Sequence, residues 1–182
     1  VYAVLDATVN TKISGSEKSR SGLYLRLKNV TNTGNLMAET ILFRGSPDIA
    51  REKELELHNR WNLEFNTDVM PGYHTLVDEK KRKGMSYFWS EKTSLTGTWE
   101  DVMFLCVPII GNSEDIYGQC GVELNSMYFN QNYTAVDSKY GSMVTILAPV
   151  SDQILEVQKG MTGSTDGTWL QSVEDLKINH KK

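Results

Sequence analysis

The chain has 182 residues, enough for one domain with a hydrophobic core or for one domain with an appendage. Hydrophobic residues make up 40% and charged residues 23%, a balance that excludes a disordered chain and fits a globular protein. The net charge of −4 argues against nucleic acid as a partner, because phosphates repel such a surface unless its basic groups are gathered on one face. The one basic run, residues 80–83, directly follows two acidic residues and is typical of a solvated helix face.

The sequence contains no stretch that approaches the roughly 18 apolar residues a membrane span requires, and no secretory signal. It begins at Val1 and not at methionine, and its first residues already have the pattern of a strand. We therefore expect an excised piece of a longer protein, whose parent can still be anchored in a membrane.

The first predicted elements are strands separated by a polar loop. Residues 1–5 are rich in strand formers, and the polar stretch 10–21 predicts a loop. Residues 22–27 then alternate, with three leucines on one face and Tyr24 and Arg26 on the other. This alternation predicts a half-buried strand.

A helix start follows at Ser46, Pro47 and Asp48, which supply an N-cap, a proline at the first helical position and an acid in the first turn. We predict a helix over about 47–60. The segment 55–65 also fits a period of two, so the secondary structure after residue 60 is left open.

The middle of the chain has the clearest pattern. A second helix is predicted over 73–82, followed by a strand over 85–91 and a turn over 93–97. Two long strands, 100–110 and 116–125, then follow with a short loop between them. Consecutive strands joined by short turns predict an antiparallel meander.

The C-terminal part has weaker signals. Residues 126–133 are predicted as a short helix or a loop, and 142–149 as a strand that ends at a proline. Residues 153–158 are expected to pair with that strand, and 160–167 have the composition of a polar turn.

Two cysteines are too few for a disulfide scaffold or a zinc site. If the loop between the two long strands is centred on Ser113, Cys106 faces Cys120 on the even-numbered face of the hairpin. This register leaves two alternatives open, a cross-strand disulfide or two buried free thiols.

Enzyme motifs are missing from the sequence. The three histidines have no HExxH spacing and no cysteine neighbour, so no metal site is predicted. The GxSxG, Walker and GxGxxG motifs are also absent. A dyad of Cys120 with a histidine is an alternative, but a cysteine in the centre of a strand is more simply structural. We therefore expect a non-catalytic domain without cofactor or metal.

Ligand binding has better support. Amphipathic aromatic residues are frequent between residues 71 and 123, and such side chains build small-molecule pockets, although each alone also fits a core or rim position. Glu123 lies in a strand between two apolar residues, with Gln119, Tyr117 and Leu105 expected on its face. Unless it faces solvent, its carboxylate needs an ammonium, an arginine or donated hydrogen bonds.

Several short segments follow one another in a distinctive order. They are Arg44-Gly45-Ser46-Pro47, His58-Asn59-Arg60-Trp61, Met70-Pro71-Gly72-Tyr73, Trp89-Ser90-Glu91, Phe104-Leu105-Cys106-Val107-Pro108-Ile109 and Tyr117-Gly118-Gln119-Cys120-Gly121-Val122-Glu123-Leu124. In their order and spacing these segments resemble the Cache family of bacterial extracellular sensor domains. The resemblance implies an α+β fold with a PAS-like antiparallel sheet flanked by helices. It implies a sensor domain over 1–135, with 136–182 as a C-terminal extension that adds strands to the same extracellular region.

The function that the resemblance implies is small-molecule sensing on the extracellular side of the membrane. The parent would be a membrane-anchored signal-transduction protein with a cytoplasmic output module, such as a histidine kinase, a diguanylate cyclase or a chemoreceptor, and it could form a homodimer. The alternative is a PAS-like interaction module without a ligand of its own.

The resemblance also implies roles for individual residues. Tyr73 corresponds to the family's pocket tyrosine, and Glu123 to the acidic residue that often holds a ligand amine. Gly72 departs from the family, because a tryptophan is usual there and the arginine expected two residues earlier is missing. Arg60 or Arg44 are candidates to replace that arginine. The expected ligand-binding residues are Arg60, Tyr73, Tyr87, Trp89, Trp99, Tyr117 and Glu123.

Overall fold

The computed structural model describes residues 1–8, 12–30, 32, 34–70, 73, 86–94, 100–112, 115–133, 143–164 and 176–177. The chain divides into two compact units. The first is Val1–Ser90 with Phe104–Glu123, and the second is Glu91–Met103 with Leu124–Lys182. Strands predominate and helices are few, which is compatible with the expected α+β class. The predicted boundary after residue 135 stays a prediction.

The strands, numbered in chain order, are short except for the β9–β10 hairpin. They are β1 (Tyr2–Leu5), β2 (Ser19–Arg20), β3 (Gly22–Leu27), β4 (Thr40–Arg44), β5 (Glu56–Asn62), β6 (Phe65–Asn66), β7 (Phe88–Trp89), β8 (Thr93–Ser94), β9 (Asp101–Ile110), β10 (Ile116–Asn125), β11 (Val144–Leu147), β12 (Val150–Ser151), β13 (Ile154–Leu155), β14 (Met161–Ser164) and β15 (Leu176–Lys177). The helices are α1 (Pro47–Glu52) and α2 (Ser126–Tyr133), with short 3₁₀ turns at Ser16–Lys18 and Val157–Lys159.

The largest sheet is mixed and has the strand order β5-β4-β3-β1-β10-β9-β7, with β8 also pairing with β9. Its centre is β1, which pairs antiparallel with β3 on one side and β10 on the other, so that Tyr2 lies opposite both Tyr24 and Gly121. The pairing of β4 with β5 is parallel, which makes the sheet mixed. The bounds of β3 and β10 match the predicted strands, and β9 differs from its prediction by one residue.

One face of this sheet carries several of the most deeply buried side chains of the described residues, and we call it the buried face. Its side chains come from alternate positions of the central strands because successive residues of a strand point to opposite faces. They are Tyr2, Val4, Tyr24, Phe104, Cys106 and Gln119. Phe65 of β6 covers them, with its ring stacked on Tyr24 at a centroid distance of 6.1 Å. The predicted alternation of β3 is confirmed, but Tyr24 is its most buried residue and the leucines are half-buried.

The helix predicted over 47–60 is much shorter than expected. Its start is confirmed, because the Ser46 side chain accepts a hydrogen bond from the Asp48 amide at 3.2 Å. It ends at Glu52, and Glu54 has a left-handed φ of 54°. The chain then enters β5, so the period-two alternative holds there, because parallel pairing with β4 outweighs helix propensity.

Three predictions near β9 have different outcomes. The strand predicted over 85–91 is confirmed only at Phe88–Trp89, among the residues that the structure describes. The turn predicted over 93–97 is wrong at its start, because Thr93–Ser94 form β8 and pair with β9. The helix predicted over 73–82 lies outside the described residues, apart from Tyr73.

In the second unit, α2 confirms the helical alternative for 126–133 and packs against β14. The turn predicted over 160–167 is wrong at 161–164, where β14 pairs with β11 and buries Met161 and Gly163 alternately. Pairing of 153–158 with β11 is also wrong. Asp152 and Gln153 have positive φ angles that reverse the chain, so β13 pairs with β12 and β15 instead.

Gly118 allows the close pairing of β10 with β1. Its φ is +152°, and a Cβ at this position would lie 2.0 Å from the Val4 carbonyl oxygen. We predict that Gly118→Ala lowers the free energy of unfolding by about 3 kcal/mol or more, because backbone strain and a backbone clash add. Urea denaturation followed by circular dichroism measures this change.

Gly15→Ala is the matched control. Gly15 also has a positive φ, +89°, but a Cβ there would meet nothing within 4 Å in the described part of the chain. Gly15→Ala should therefore lower the free energy of unfolding by the backbone strain alone, about 1 kcal/mol. Equal losses for the two variants would contradict the register of β1 and β10.

Candidate functional site

The candidate site is built around the Glu123 carboxylate, which is buried and ion-paired. Arg26 Nε donates a hydrogen bond to Glu123 Oε2 at 3.0 Å, and Arg26 Nη2 donates to Oε1 at 2.9 Å. The Tyr24 hydroxyl donates to the same Oε2. The side chains of Arg26 and Glu123 are only 9% and 8% exposed. The expectation that this strand carboxylate needs an arginine or donated hydrogen bonds is confirmed.

Strand pairing explains why these three residues meet. Tyr24 and Gly121 both lie opposite Tyr2 of β1. Arg26 and Glu123 each lie two residues further along β3 and β10, past the first residue of β1. The ion pair therefore joins β3 to β10 beside the first residues of β1. All three side chains lie on the buried face, because positions two residues apart in a strand point the same way.

The Tyr24 hydroxyl acts as a fixed donor in this cluster. Burial, together with the charge on Glu123, raises the pKa of Tyr24 well above that of a free tyrosine. The hydroxyl therefore keeps its proton and donates a hydrogen bond to the carboxylate. Planar guanidinium and carboxylate groups match in two-pronged geometry, which is stronger and more directional than a single contact.

Phe43 of β4 links this cluster to a second arginine. Its ring lies edge-on to Tyr24, at a centroid distance of 5.2 Å, and it contacts the guanidinium groups of Arg26 and Arg44. The distances from Cζ to the ring centroid are 5.4 Å for Arg26 and 4.0 Å for Arg44. His58 of β5 packs edge-on against the same ring at 4.7 Å. The site therefore combines aromatic surface with fixed charges, as small-molecule sites commonly do.

Tyr73 belongs to a different polar cluster, at the far end of β1. It is buried, and its hydroxyl donates to Asp6 Oδ1 at 2.8 Å, where Arg20 Nε also donates at 2.8 Å. Burial and the hydrogen bond to Asp6 raise the pKa of Tyr73 to about 12. Burial alone would raise the pKa of Asp6, but the two donated hydrogen bonds outweigh it and lower that pKa. Asp6 follows the last residue of β1, whereas Glu123 lies near the first residue of β1. The structure therefore does not bring Tyr73 and Glu123 together.

The other residues predicted to bind a ligand are scattered. Tyr87 and Tyr117 are 62% and 55% exposed, and Arg60 is also exposed. Trp89 pairs with Leu105, whereas its neighbour Phe88 pairs with Cys106 of the buried face. Trp89 therefore points to the opposite face from Glu123. Trp99 lies outside the described residues.

Both cysteines are free thiols, and no disulfide joins Cys106 to Cys120. The alternative of two buried thiols is correct for Cys106, whereas Cys120 is half-buried. The predicted register is wrong at the cysteines, although the Gly111 amide donates to the Asp115 carbonyl oxygen at 2.8 Å, as that register requires beside the loop. Cys106 Sγ contacts the Tyr2 hydroxyl at 3.2 Å, and Gln119 Nε2 donates to that hydroxyl at 3.5 Å. Cys106 therefore shares a face with Gln119, and Cys120 points away. Burial raises the pKa of the Cys106 thiol to about 11, which keeps it protonated and unreactive at neutral pH.

The same register correction applies to the companions of Glu123. Gln119 is on its face as predicted, but Leu105 is on the opposite one and Tyr117 is exposed. Within the described residues, Gln119 Oε1 is a buried acceptor without a hydrogen-bond partner. Such an atom costs free energy, and native proteins rarely retain one.

Sequence reasoning missed Tyr24 and Arg26 as partners of Glu123. The available signal was that these two polar residues alternate with leucines in a predicted strand. A strand with this pattern can supply hydrogen-bond donors to a carboxylate on another strand. The strand order, which places β3 and β10 on either side of β1, could not be read from the sequence.

Comparison with known protein families, curated proteins and solved structures finds no match to this chain. In the described residues, no helix has the length and apolar character needed to cross a bilayer. The same residues contain no group of three or more histidine, cysteine, aspartate or glutamate side chains placed to hold a metal ion.

The buried ion pair predicts strong coupling in a double-mutant cycle. We expect Arg26→Met and Glu123→Leu each to lower the free energy of unfolding by about 3–5 kcal/mol, because each leaves an unpaired buried charge. The double variant should lose much less than the sum, because it leaves neither charge behind. Urea denaturation of the four proteins measures the coupling.

The exposed pair of Lys28 and Glu56, with Nζ and Oε2 3.0 Å apart, provides the matched control cycle. Its coupling should be about 0–1 kcal/mol, because water screens exposed charges. A coupling between Arg26 and Glu123 no larger than this control would contradict a buried ion pair.

Proposed function

We propose that this chain is the extracellular small-molecule sensing domain of a membrane-anchored signal-transduction protein, with a PAS-like fold of the Cache type. The observation that carries the proposal is the site on the buried face, where Tyr24, Arg26 and Glu123 form a polar cluster beside the Phe43 ring. The domain itself is non-catalytic in this proposal, and the output module belongs to another part of the parent protein.

The strand order supports the PAS-like part of the proposal. The PAS-like sheet that the resemblance implies is antiparallel. Here β1 lies between β3 and β10, and β9 and β7 follow beyond β10. The parallel pairing of β4 and β5 is an addition to that arrangement. The long β9–β10 hairpin contains the segments that resemble the Cache family most closely.

The chemistry of the site supports a binding role. A buried charged pair contributes little net stability, since desolvation offsets much of the attraction. The Arg26–Glu123 pair is therefore better explained by a role in which its contacts can be exchanged. A ligand with donors or acceptors of its own can replace one partner at modest cost, because the bonds lost within the protein are regained to the ligand.

Signalling then follows from differential binding. A ligand that binds one arrangement of β3 and β10 more tightly shifts the population toward that arrangement. The two strands are joined through Arg26 and Glu123, so a ligand that changes their bonding alters the packing of the sheet. The size of the shift is limited by the difference in affinity between the two arrangements.

The second candidate is a PAS-like interaction module without a ligand. The observation that favours it is the pairing of Glu123, since both of its carboxylate oxygens accept hydrogen bonds from side chains of the protein itself. The two candidates differ in one measurable property, which is stabilisation by a small molecule.

A thermal-shift screen of the 182-residue chain against amines, carboxylates, phosphates, amino acids and nucleobases tests the proposal. A compound present at 100 times its dissociation constant should stabilise the folded state by about 2.7 kcal/mol. We expect at least one compound to raise the melting temperature in a saturable manner, and Glu123→Gln to change its apparent dissociation constant, because the substitution alters the bonding of Arg26.

Glu56→Gln is the control variant, since Glu56 is exposed and pairs only with Lys28 among the ion pairs of the described residues. It should respond as the unmodified chain does. A screen in which no compound class gives a saturable shift would refute sensing and favour the interaction module.

A further inference from the structure

Arg44 is a half-buried cation without an anionic partner in the described part of the chain. The other half-buried or buried arginines there are ion-paired, Arg20 with Asp6 and Arg26 with Glu123. Arg44 has no carboxylate within salt-bridge distance among the same residues, and its guanidinium lies over the Phe43 ring. Burial lowers the pKa of Arg44, and the nearby Tyr24 offsets only part of that effect.

The Arg44 guanidinium is nevertheless held in place. Its Nη1 donates to the Phe43 carbonyl oxygen at 2.7 Å and to the Arg60 carbonyl oxygen at 2.8 Å. Its Cζ lies 4.0 Å from the centroid of the Phe43 ring, in cation–π contact. These contacts occupy one nitrogen, and Nε and Nη2 make no hydrogen bond within the described residues. A guanidinium fixed in this way keeps donors for an additional acceptor.

The charges around Arg44 favour an anion. The side chain of Arg60, whose backbone carbonyl accepts a hydrogen bond from Arg44, is exposed. The acids on nearby strands are already engaged, Glu123 with Arg26 and Glu56 with Lys28. A partly desolvated cation that lacks a counter-charge gains free energy when an anion supplies one.

We propose that Arg44 binds the carboxylate or phosphate group of a small anionic ligand, with the Phe43 ring holding the guanidinium in position. This inference rests on the proposed sensing function and adds the charge of the ligand. It differs from the expectation of an amine held by Glu123. Both Glu123 oxygens already accept hydrogen bonds from Arg26 and Tyr24, so the charge left to be matched beside Phe43 is positive.

NMR titration of the ¹⁵N-labelled chain tests this assignment, with sodium phosphate, sodium acetate and methylammonium chloride at constant ionic strength. Phosphate or acetate should give saturable shifts of the amide signals of residues 43–45 and 58–62, and methylammonium should not. Arg44→Gln should weaken anion binding by about tenfold or more, because a charge-assisted pair is lost. Arg51→Gln is the matched control, because Arg51 is 79% exposed and should leave the affinity unchanged.

Arg44→Lys provides a second variant that keeps the charge but not the planar fork, and it should bind the anions more weakly than the unmodified chain. Absence of saturable anion shifts at these residues, or equal affinity in the Arg44 variants, would overturn the assignment. A neutral or cationic compound that stabilises the chain and its Arg44→Gln variant equally would also overturn it, while leaving sensing supported. If anions bind saturably at Arg44 but no organic compound raises the melting temperature in the thermal-shift screen, the result supports the site and counts against sensing.

Discussion

The Glu123 carboxylate is the constraint on which this part of the molecule depends. A charge that is almost fully removed from water must be matched, and here Arg26 and Tyr24 match it. These partners come from β3, on the far side of β1 from Glu123. The strand order and the register of β1 against both neighbours are therefore prerequisites for burying this charge. An error of one residue in either register would turn Glu123 or Arg26 to the other face.

The same constraint determines what a ligand could do at this site. The Phe43 ring lies between one arginine whose charge is matched and one that has no counter-charge among the described residues. An anionic ligand could form an ion pair with Arg44, and it would compete with Glu123 for Arg26. An arriving amine would have to displace Arg26 from a two-pronged pair that is already formed. The electrostatics of the described residues thus favour a negatively charged ligand, and they connect ligand binding to the bonding between β3 and β10.

Local sequence signals correctly predicted the elements that depend on residues close to one another in the sequence. The alternation in 22–27 and the apolar pattern of 116–125 predict β3 and β10 within their observed bounds. The N-cap at Ser46 was also correct. The length of α1 was wrong because a tertiary interaction, parallel pairing with β4, decides the structure after Glu54.

The site was only half predictable for the same reason. Glu123 stands out because a carboxylate in an apolar strand needs partners. Those partners depend on strand order, which is a property of the whole sheet. The predicted cysteine register holds beside the loop, where the Gly111 amide donates to the Asp115 carbonyl oxygen. It fails at the cysteines, because a shift of one residue further along the strands exchanges the two faces. That shift places Cys106 beside Tyr2 and turns Cys120 away.

The central claim is that Arg26 is locked onto an ionised Glu123 inside the protein, and side-chain hydrogen exchange of the arginines measures this directly. The Nε proton of Arg26 should exchange with solvent far more slowly than that of the exposed Arg51, and it should become fast in Glu123→Gln. An Arg26 Nε proton that exchanges as rapidly as that of Arg51, with no response to the Glu123 substitution, would contradict the account.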